Sequence, residues 1–160
     1  MENIICEKLS FSYPTSSASV LKDVSFSVSG GELCLVLGCS GAGKSTLLKL
    51  MKKEIAPNGT LTGCIKINGS VGYVAQNVEE NIVTDKVRSE LSFGLTNMGM
   101  NRSSIELWVA ETASYFNLSD KLDNDISTLS GGEKQLLNLA SVMIMKPDVL
   151  VLDEPTCQLD

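Results

Sequence analysis

Apolar and polar residues alternate through the first thirty positions. NIICEKLSFSY, residues 3–13, reads as a strand. VLKDVSFSV, residues 20–28, reads as a second, with Val20, Val24, Phe26 and Val28 on one face. SGGE then predicts a turn. LCLVLG, residues 33–38, is continuously apolar, the pattern of a strand buried on both faces. A helix is expected from Gly43 to Lys53, a turn at APNG, a strand pair signal in TLTGCIKING, and a short strand in VGYVAQ ending at Gln76. The middle of the chain changes period. Val87 to Met98 and Ser103 to Phe116 both predict amphipathic helices, the second burying Ile105, Trp108, Val109, Thr112, Ala113 and Phe116. DKLDNDIST is a polar connector. A further helix runs from LSGGEKQ to about Met145, KP breaks it, and DVLVLDEP reads as a buried strand. Strand, glycine-rich loop, helix and later strand imply a parallel α/β core. The helices between Gln76 and Lys146 form an inserted helical subdomain.

Three polar stretches interrupt this pattern with chemistry. GCSGAGKST, residues 38–46, fits G-x-x-x-x-G-K-[ST] between a buried strand and a helix, the context that the pattern requires. Its glycines let successive N–H groups turn inward around phosphates. Lys44 adds a point charge for the β and γ phosphates, and the Ser45 hydroxyl can ligate Mg²⁺. In VLVLDEP, two carboxylates end an apolar strand: Asp153 is placed to hold Mg²⁺ through water and Glu154 to polarise an attacking water. Taken alone, such a pair is an ordinary solvated strand end. LSGGEKQ, residues 129–135, poses a sharper question. Ser130 and Glu133 have capping-box spacing, which explains a helix start. It does not explain Gly131 and Gly132, which are poor helix formers. Two glycines leave the first backbone N–H groups open to an anion.

Composition narrows the options. At 160 residues and 43% hydrophobic content the chain is about one domain with a real core. Its net charge of −6 and lack of a basic stripe argue against a nucleic-acid surface, so no nucleic-acid partner is expected. MENIICEKLS lacks the features of a signal peptide. No apolar run approaches the roughly 20 residues of a spanning helix. The five cysteines are scattered without a CxxC pair and read as reduced thiols of a cytosolic protein. There is no histidine.

GCSGAGKST, LSGGEKQ and VLVLDEPT, in this order, resemble the nucleotide-binding domain of ABC ATPases through nearly the whole chain. The resemblance implies a P-loop NTPase, RecA-like parallel sheet core with an N-terminal antiparallel β subdomain and an inserted helical subdomain. Residues 1–76 would form the β subdomain and P-loop core, 77–146 the helical and signature subdomain, and 147–160 the strand with the two carboxylates and the D-loop. It implies ATP and Mg²⁺ as ligands, with ATP held by Gly38, Cys39, Ser40, Gly41, Ala42, Gly43, Lys44, Ser45 and Thr46. Tyr13 sits where an aromatic stacks on adenine, although by itself it also reads as a strand-end core residue. Gln76 resembles the glutamine that touches Mg²⁺ and the attacking water and senses the transport partner, although a polar strand terminus is its plain reading. The metal set is then Ser45, Gln76 and Asp153, and the catalytic pair Glu154 and Gln76. The resemblance also supplies an anion for the two glycines. Ser130, Gly131 and Gly132 would close on the γ-phosphate of ATP held by a second ABC ATPase subunit, identical or paralogous, and Asp160 would contact that subunit.

VGYVAQNVEENIVTDKVRSELSFGLTNMG, and ELSFGLTNMG above all, resembles the ATPase components of energy-coupling factor transporters. These import vitamins or metal ions with a transmembrane T component and a substrate-binding S component. The implied place is the cytoplasm, peripheral to the inner face of the membrane through those partners. Two departures stand out: Leu136 occupies a position where the family usually has arginine, and the switch histidine beyond the D-loop is missing. A partial chain is the expected explanation of the second, and such a chain is expected to bind ATP while hydrolysing it weakly or not at all. A non-transport ABC ATPase is the rival reading. Against its coiled-coil members, only 52 residues, 77–128, separate Gln76 from Leu129, and they hold no heptad repeat.

Overall fold

The computed structural model describes residues 2–16 and 18–155. The chain divides into two compact units, Met1–Val71 and Gly72–Asp160.

The first unit is built on an antiparallel sheet in the order β2-β1-β3, with β1 at Glu2–Ser12, β2 at Leu21–Ser29 and β3 at Thr60–Ile67. β1 buries Ile4 and Cys6, and then Leu9 and Phe11. Strict alternation would have carried the buried set from Cys6 to Lys8. The phase changes because Lys8 takes a left-handed backbone, φ 47, and both pairings of β1 shift register beside it. A bulge of this kind adds one residue and turns the following side chains over. Gly63 of β3 lies against it at φ 82, where a Cβ would collide with the main-chain carbonyls of Glu7 and Lys8. TLTGCIKING is therefore one strand with a glycine at the bulge, not a strand pair. On β2 the expected alternation holds from Val24 to Val28, with Ser25 and Ser27 exposed. Val20 lies outside that strand. Leu21 is the buried residue at its start, and left-handed Asp23, φ 49, changes the phase. Helix α1, Lys44–Leu50, is shorter than the sequence suggests, and Leu47 and Met51 are buried one turn apart.

LCLVLG departs most from expectation. Among the described residues no strand pairs with 33–38, and Leu33, Leu35 and Leu37 are 95%, 75% and 81% exposed. A strand buried on both faces needs a hydrogen-bonded neighbour at each edge and cover above and below. The apolar pattern states that demand but supplies none of the partners.

The second unit pairs β4, Val71–Val74, with β5, Val149–Leu152, as a parallel pair. Val149 and Val151 are buried while Leu150 is 37% exposed, so β5 buries one face rather than two. Helices α2, Val87–Asn97, α3, Arg102–Tyr115, and α4, Gly131–Met143, lie close to their expected bounds. Their apolar stripes meet in one cluster. α2 contributes Val87, Leu91 and Leu95, α3 contributes Val109 and Ala113, and α4 contributes Leu137 and Ala140. Asn101 caps α3 by accepting the Ser104 N–H at 2.9 Å. The polar connector hides two short 3₁₀ turns, and Ile126 in the second is buried.

Gly63→Ala should destabilise the chain by about 2–4 kcal/mol, from left-handed strain plus a clash with main chain that cannot move aside. Urea unfolding followed by circular dichroism measures this.

Candidate functional site

The residues singled out from sequence fall in both units. In the first, GCSGAGKST forms a turn leading into α1. Gly38 to Ala42 are exposed, Gly43 to Ser45 half-buried and Thr46 buried. Gly41 and Gly43 have φ 79 and 90. At Gly43 a Cβ would also stand 2.8 Å from Val20 Cγ1, so the position excludes a side chain on two grounds. Lys44 Nζ donates to the carbonyls of Gly38 at 3.0 Å and Cys39 at 3.1 Å. Its ammonium is thereby held across the start of the loop, among main-chain groups of the segment that would surround phosphates. Thr46 Oγ1 shares a 3.0 Å hydrogen bond with the Tyr13 hydroxyl. The Tyr13 ring meets Phe11 edge-on, 5.0 Å between centroids. Tyr13 is thus both a strand-end aromatic and a residue tied to the P-loop helix.

In the second unit the structure joins the other candidates in pairs. The Asp153 N–H donates to the Val74 carbonyl at 3.0 Å, which sets the ends of β4 and β5 side by side. Two residues past Val74 and one past Asp153, Gln76 Nε2 donates to Glu154 Oε2 at 2.6 Å. Glu154 adopts a left-handed backbone, φ 48, directly after its strand. Such strain is stored where a side chain must be aimed rather than left in register. Both side chains are exposed, whereas Asp153 is only 3% exposed.

Asp153 owes part of its burial to a residue that sequence reading passed over. The Tyr73 hydroxyl donates to Asp153 Oδ2 at 3.0 Å. Burial first, and then the Asp153 charge, push the Tyr73 hydroxyl well above the ordinary tyrosine range, so it stays a donor. Glu90 was also missed. It is 4% exposed on the apolar face of α2, and its carboxylate accepts the N–H groups of Val83 and Thr84 and the Thr84 hydroxyl. The signal was present in both cases: a tyrosine in the short strand that ends at Gln76, and an acid between Val87 and Leu91 on a buried stripe.

LSGGEKQ resolves as the capping box that its spacing suggests. Ser130 Oγ accepts the Glu133 N–H at 3.3 Å, and the Glu133 carboxylate accepts the Ser130 N–H at 2.8 Å. Lys121 pairs with that same carboxylate. Gly131 and Gly132 form the first turn of α4, where N–H groups have no intrahelical acceptor. The residues after Gln76 are pinned to those before Leu129: Ile126 N–H donates to Asp85 O at 2.8 Å and Arg88 N–H to Leu122 O at 2.9 Å. A cleft of about 520 Å³ opens beside this seam, lined by Glu79, Ile82, Thr84, Asp85, Asp125 and Lys134 among others. Asp160 lies outside the described residues.

Two substitutions probe this geometry. Gly43→Ala should cost about 1–3 kcal/mol, against less than about 1 kcal/mol for Gly38→Ala, whose added Cβ meets only ordinary contacts. Tyr73→Phe should cost about 1.5–3 kcal/mol by removing a hydrogen bond to a buried carboxylate. Urea titration of each variant against the parent chain decides both.

Comparison with known proteins agrees with these features. A family model described as ABC transporter matches residues 21–157. A Bacillus cereus protein named as an ABC transporter ATP-binding protein is 42% identical over 165 residues, covering 95% of this chain and 30% of the relative. The energy-coupling factor transporter ATP-binding protein EcfA1 of Lactobacillus delbrueckii subsp. bulgaricus is 33% identical over 173 residues, covering 99% of this chain and 61% of the relative. The chain thus spans under a third of one curated relative and about three fifths of the other. Among solved structures, cbiO1 of Clostridium perfringens, described as part of the ABC transporter complex cbiONQ, superposes with a TM-score of 0.85 at 28% identity, over 99% of this chain and 68% of that one. A match over residues 21–157, a span that includes the glycine-rich loop, the capped LSGGEKQ helix and the strand ending in two carboxylates, shows that the chain belongs to the ABC transporter family, whose ATP-binding domains are ATPases.

Proposed function

We propose that this chain is the ATP-binding subunit of an energy-coupling-factor-type ABC transporter, hydrolysing ATP at an interface between two ATPase subunits to drive import of a vitamin or metal ion. The observation that carries the catalytic part is the 2.6 Å bond from Gln76 Nε2 to Glu154 Oε2, with Glu154 aimed by its left-handed backbone. Support for the transporter class comes from the likeness to EcfA1 and to cbiO1 of the cbiONQ complex.

In this reading the main-chain amides of Gly38 to Thr46 and the Lys44 ammonium take the phosphates, and Tyr13 takes the adenine. The hydroxyl of Ser45, the carboxylate of Asp153 and the amide oxygen of Gln76 would hold Mg²⁺, since each offers the oxygen donor that suits it. Bound there, Mg²⁺ would supply positive charge to the phosphate oxygens. Tyr73 fixes the Asp153 carboxylate for that task. Glu154 orients the attacking water and draws off its proton, and Gln76 holds the carboxylate in place. Ser130, Gly131 and Gly132 cap the γ-phosphate of ATP held by the second subunit, with Asp160 contacting that subunit. The T component docks at the cleft lined by Glu79, Asp85, Asp125 and Lys134, whose mixed charge suits a polar segment. The S component binds the transported substrate. The subunit then works in the cytoplasm, on the inner face of the membrane. Among the described residues no helix is long and apolar enough to cross it.

Phosphate release and size-exclusion chromatography test the reading in the whole protein. Glu154→Gln should keep ATP binding, trap an ATP-bound dimer and slow turnover by about a hundredfold or more. Lys44→Ala should weaken ATP binding about tenfold or more through loss of its charge-assisted bonds. Unchanged turnover in the glutamine variant removes Glu154 from its role.

A further inference from the structure

Helix α4 carries two stripes. Leu137, Ala140 and Ile144 enter the apolar cluster of the helical core. The other stripe, Gln135, Asn138 and Val142, has the same i, i+3, i+7 spacing. It runs along the two-stranded sheet. At its C-terminal end Val142 lies against Gly72 of β4, where a Cβ would come within 2.6 Å of Val142 Cγ1 and 2.8 Å of Pro147 Cγ. In the middle Asn138, 0% exposed, accepts from Asn81 Nδ2 at 2.9 Å, and the same Asn81 nitrogen donates to the Tyr73 carbonyl at 3.1 Å. At the N-terminal end Gln135, 2% exposed, donates through Nε2 to the Pro155 carbonyl at 2.9 Å. The opposite half of each amide, Asn138 Nδ2 and Gln135 Oε1, is buried without a hydrogen-bond partner among the described residues.

Apolar contact alone does not need these amides. Burying an unpaired polar group costs about 1–3 kcal/mol, so this stripe is less stable than an aliphatic one would be. Amides bring direction instead. Apolar burial is non-directional and fixes the rotation of α4 less sharply than a hydrogen bond does. A buried amide pair has one geometry, and breaking it strands further donors and acceptors. Tyr73, whose carbonyl receives Asn81, is the residue whose hydroxyl holds Asp153. Pro155, whose carbonyl receives Gln135, directly follows Glu154. α4 begins at Gly131 with Ser130 as its cap.

We infer that Asn81 with Asn138, and Gln135 with Pro155, form a polar latch that sets the axial position and rotation of α4 against the strand ends bearing Gln76, Asp153 and Glu154. Asn138, Gln135 and Asn81 are positioning residues. They touch no reacting atom and act by fixing where the Ser130–Gly132 turn stands relative to the carboxylate pair of the same chain. This rests on the proposed role of that turn in capping ATP across the dimer. A slip of one residue would move the turn by about 1.5 Å along the axis and rotate it by roughly 100°.

A double-mutant cycle tests the latch independently of function. Asn81→Ala, Asn138→Ala and the double variant of the full chain are unfolded in urea and followed by fluorescence of Trp108, the single tryptophan, which lies on α3 of the same unit. Should Asn138→Ala fail to fold, Asn138→Leu, which keeps the branching of the amide, takes its place. Each alanine change should lower the folding constant about fivefold or more, and in either cycle the double change should be no worse than the worse single. Strictly additive losses overturn the latch. In the assembled transporter, Asn138→Leu should leave KM for ATP within about twofold and lower kcat about tenfold. A coupled pair with unchanged kcat overturns the positioning role. A parent protein without ATP turnover indicts the proposed function instead, and the cycle still judges the latch.

Discussion

A single main-chain hydrogen bond, from the Asp153 N–H to the Val74 carbonyl, is the constraint on which the chemistry of the second unit depends. Val74 ends β4, and Asp153 is the first residue past β5. Two segments separated by more than seventy residues are thereby registered so that Gln76 and Glu154 meet and Tyr73 reaches Asp153. A shift of one residue would turn every side chain on one strand to the other face. Both pairs would then be lost together. The helical core inserted between the strands serves the same end. It closes the long loop with apolar burial, which repays an entropy cost that the short ladder could not meet alone.

Local conformation departs from regularity where function or close packing requires it. Lys8 and Gly63 switch the buried face of β1 in mid-strand. Glu154 follows its strand in a left-handed conformation, and its carboxylate accepts from Gln76 Nε2. The polar features of the helical unit follow a similar rule. Glu90, Asn138 and Gln135 are buried side chains that an apolar residue of equal size could replace in a pure packing problem. Each bonds main chain or another side chain: Glu90 at Thr84, Asn138 at Asn81, and Gln135 at Pro155, which directly follows Glu154. They trade stability for definition, a use of buried polar groups attested elsewhere and testable here.

Helix positions were legible in the sequence because a 3.6-residue period is written within one segment. Val87 to Asn97, Arg102 to Tyr115 and the capping box at Ser130 all lie where their patterns place them. The glycine-rich turn before α1 and the carboxylates at the end of β5 were legible for a related reason, since each is a run of adjacent residues. LCLVLG was misread from the same kind of evidence. Its apolar run is a statement about neighbours, and no partner for it stands among the described strands. Tyr73 and Glu90 were overlooked because a lone polar group on an apolar stripe gains meaning only from what lies opposite.

The sequence by itself determined where the three long helices lie, where the glycine-rich turn and the capped LSGGEKQ helix start lie, and that two carboxylates end a strand. These are properties of neighbours along the chain, set by backbone sterics and by periods of two and 3.6 residues. Tertiary structure alone decided which polar groups meet. Gln76 with Glu154, Tyr73 with Asp153 and Asn81 with Asn138 are separated by 78, 80 and 57 residues. No local rule relates residues at such distances. They are chosen by strand register and by the rotation of a packed helix, which exist only once the chain has closed on itself.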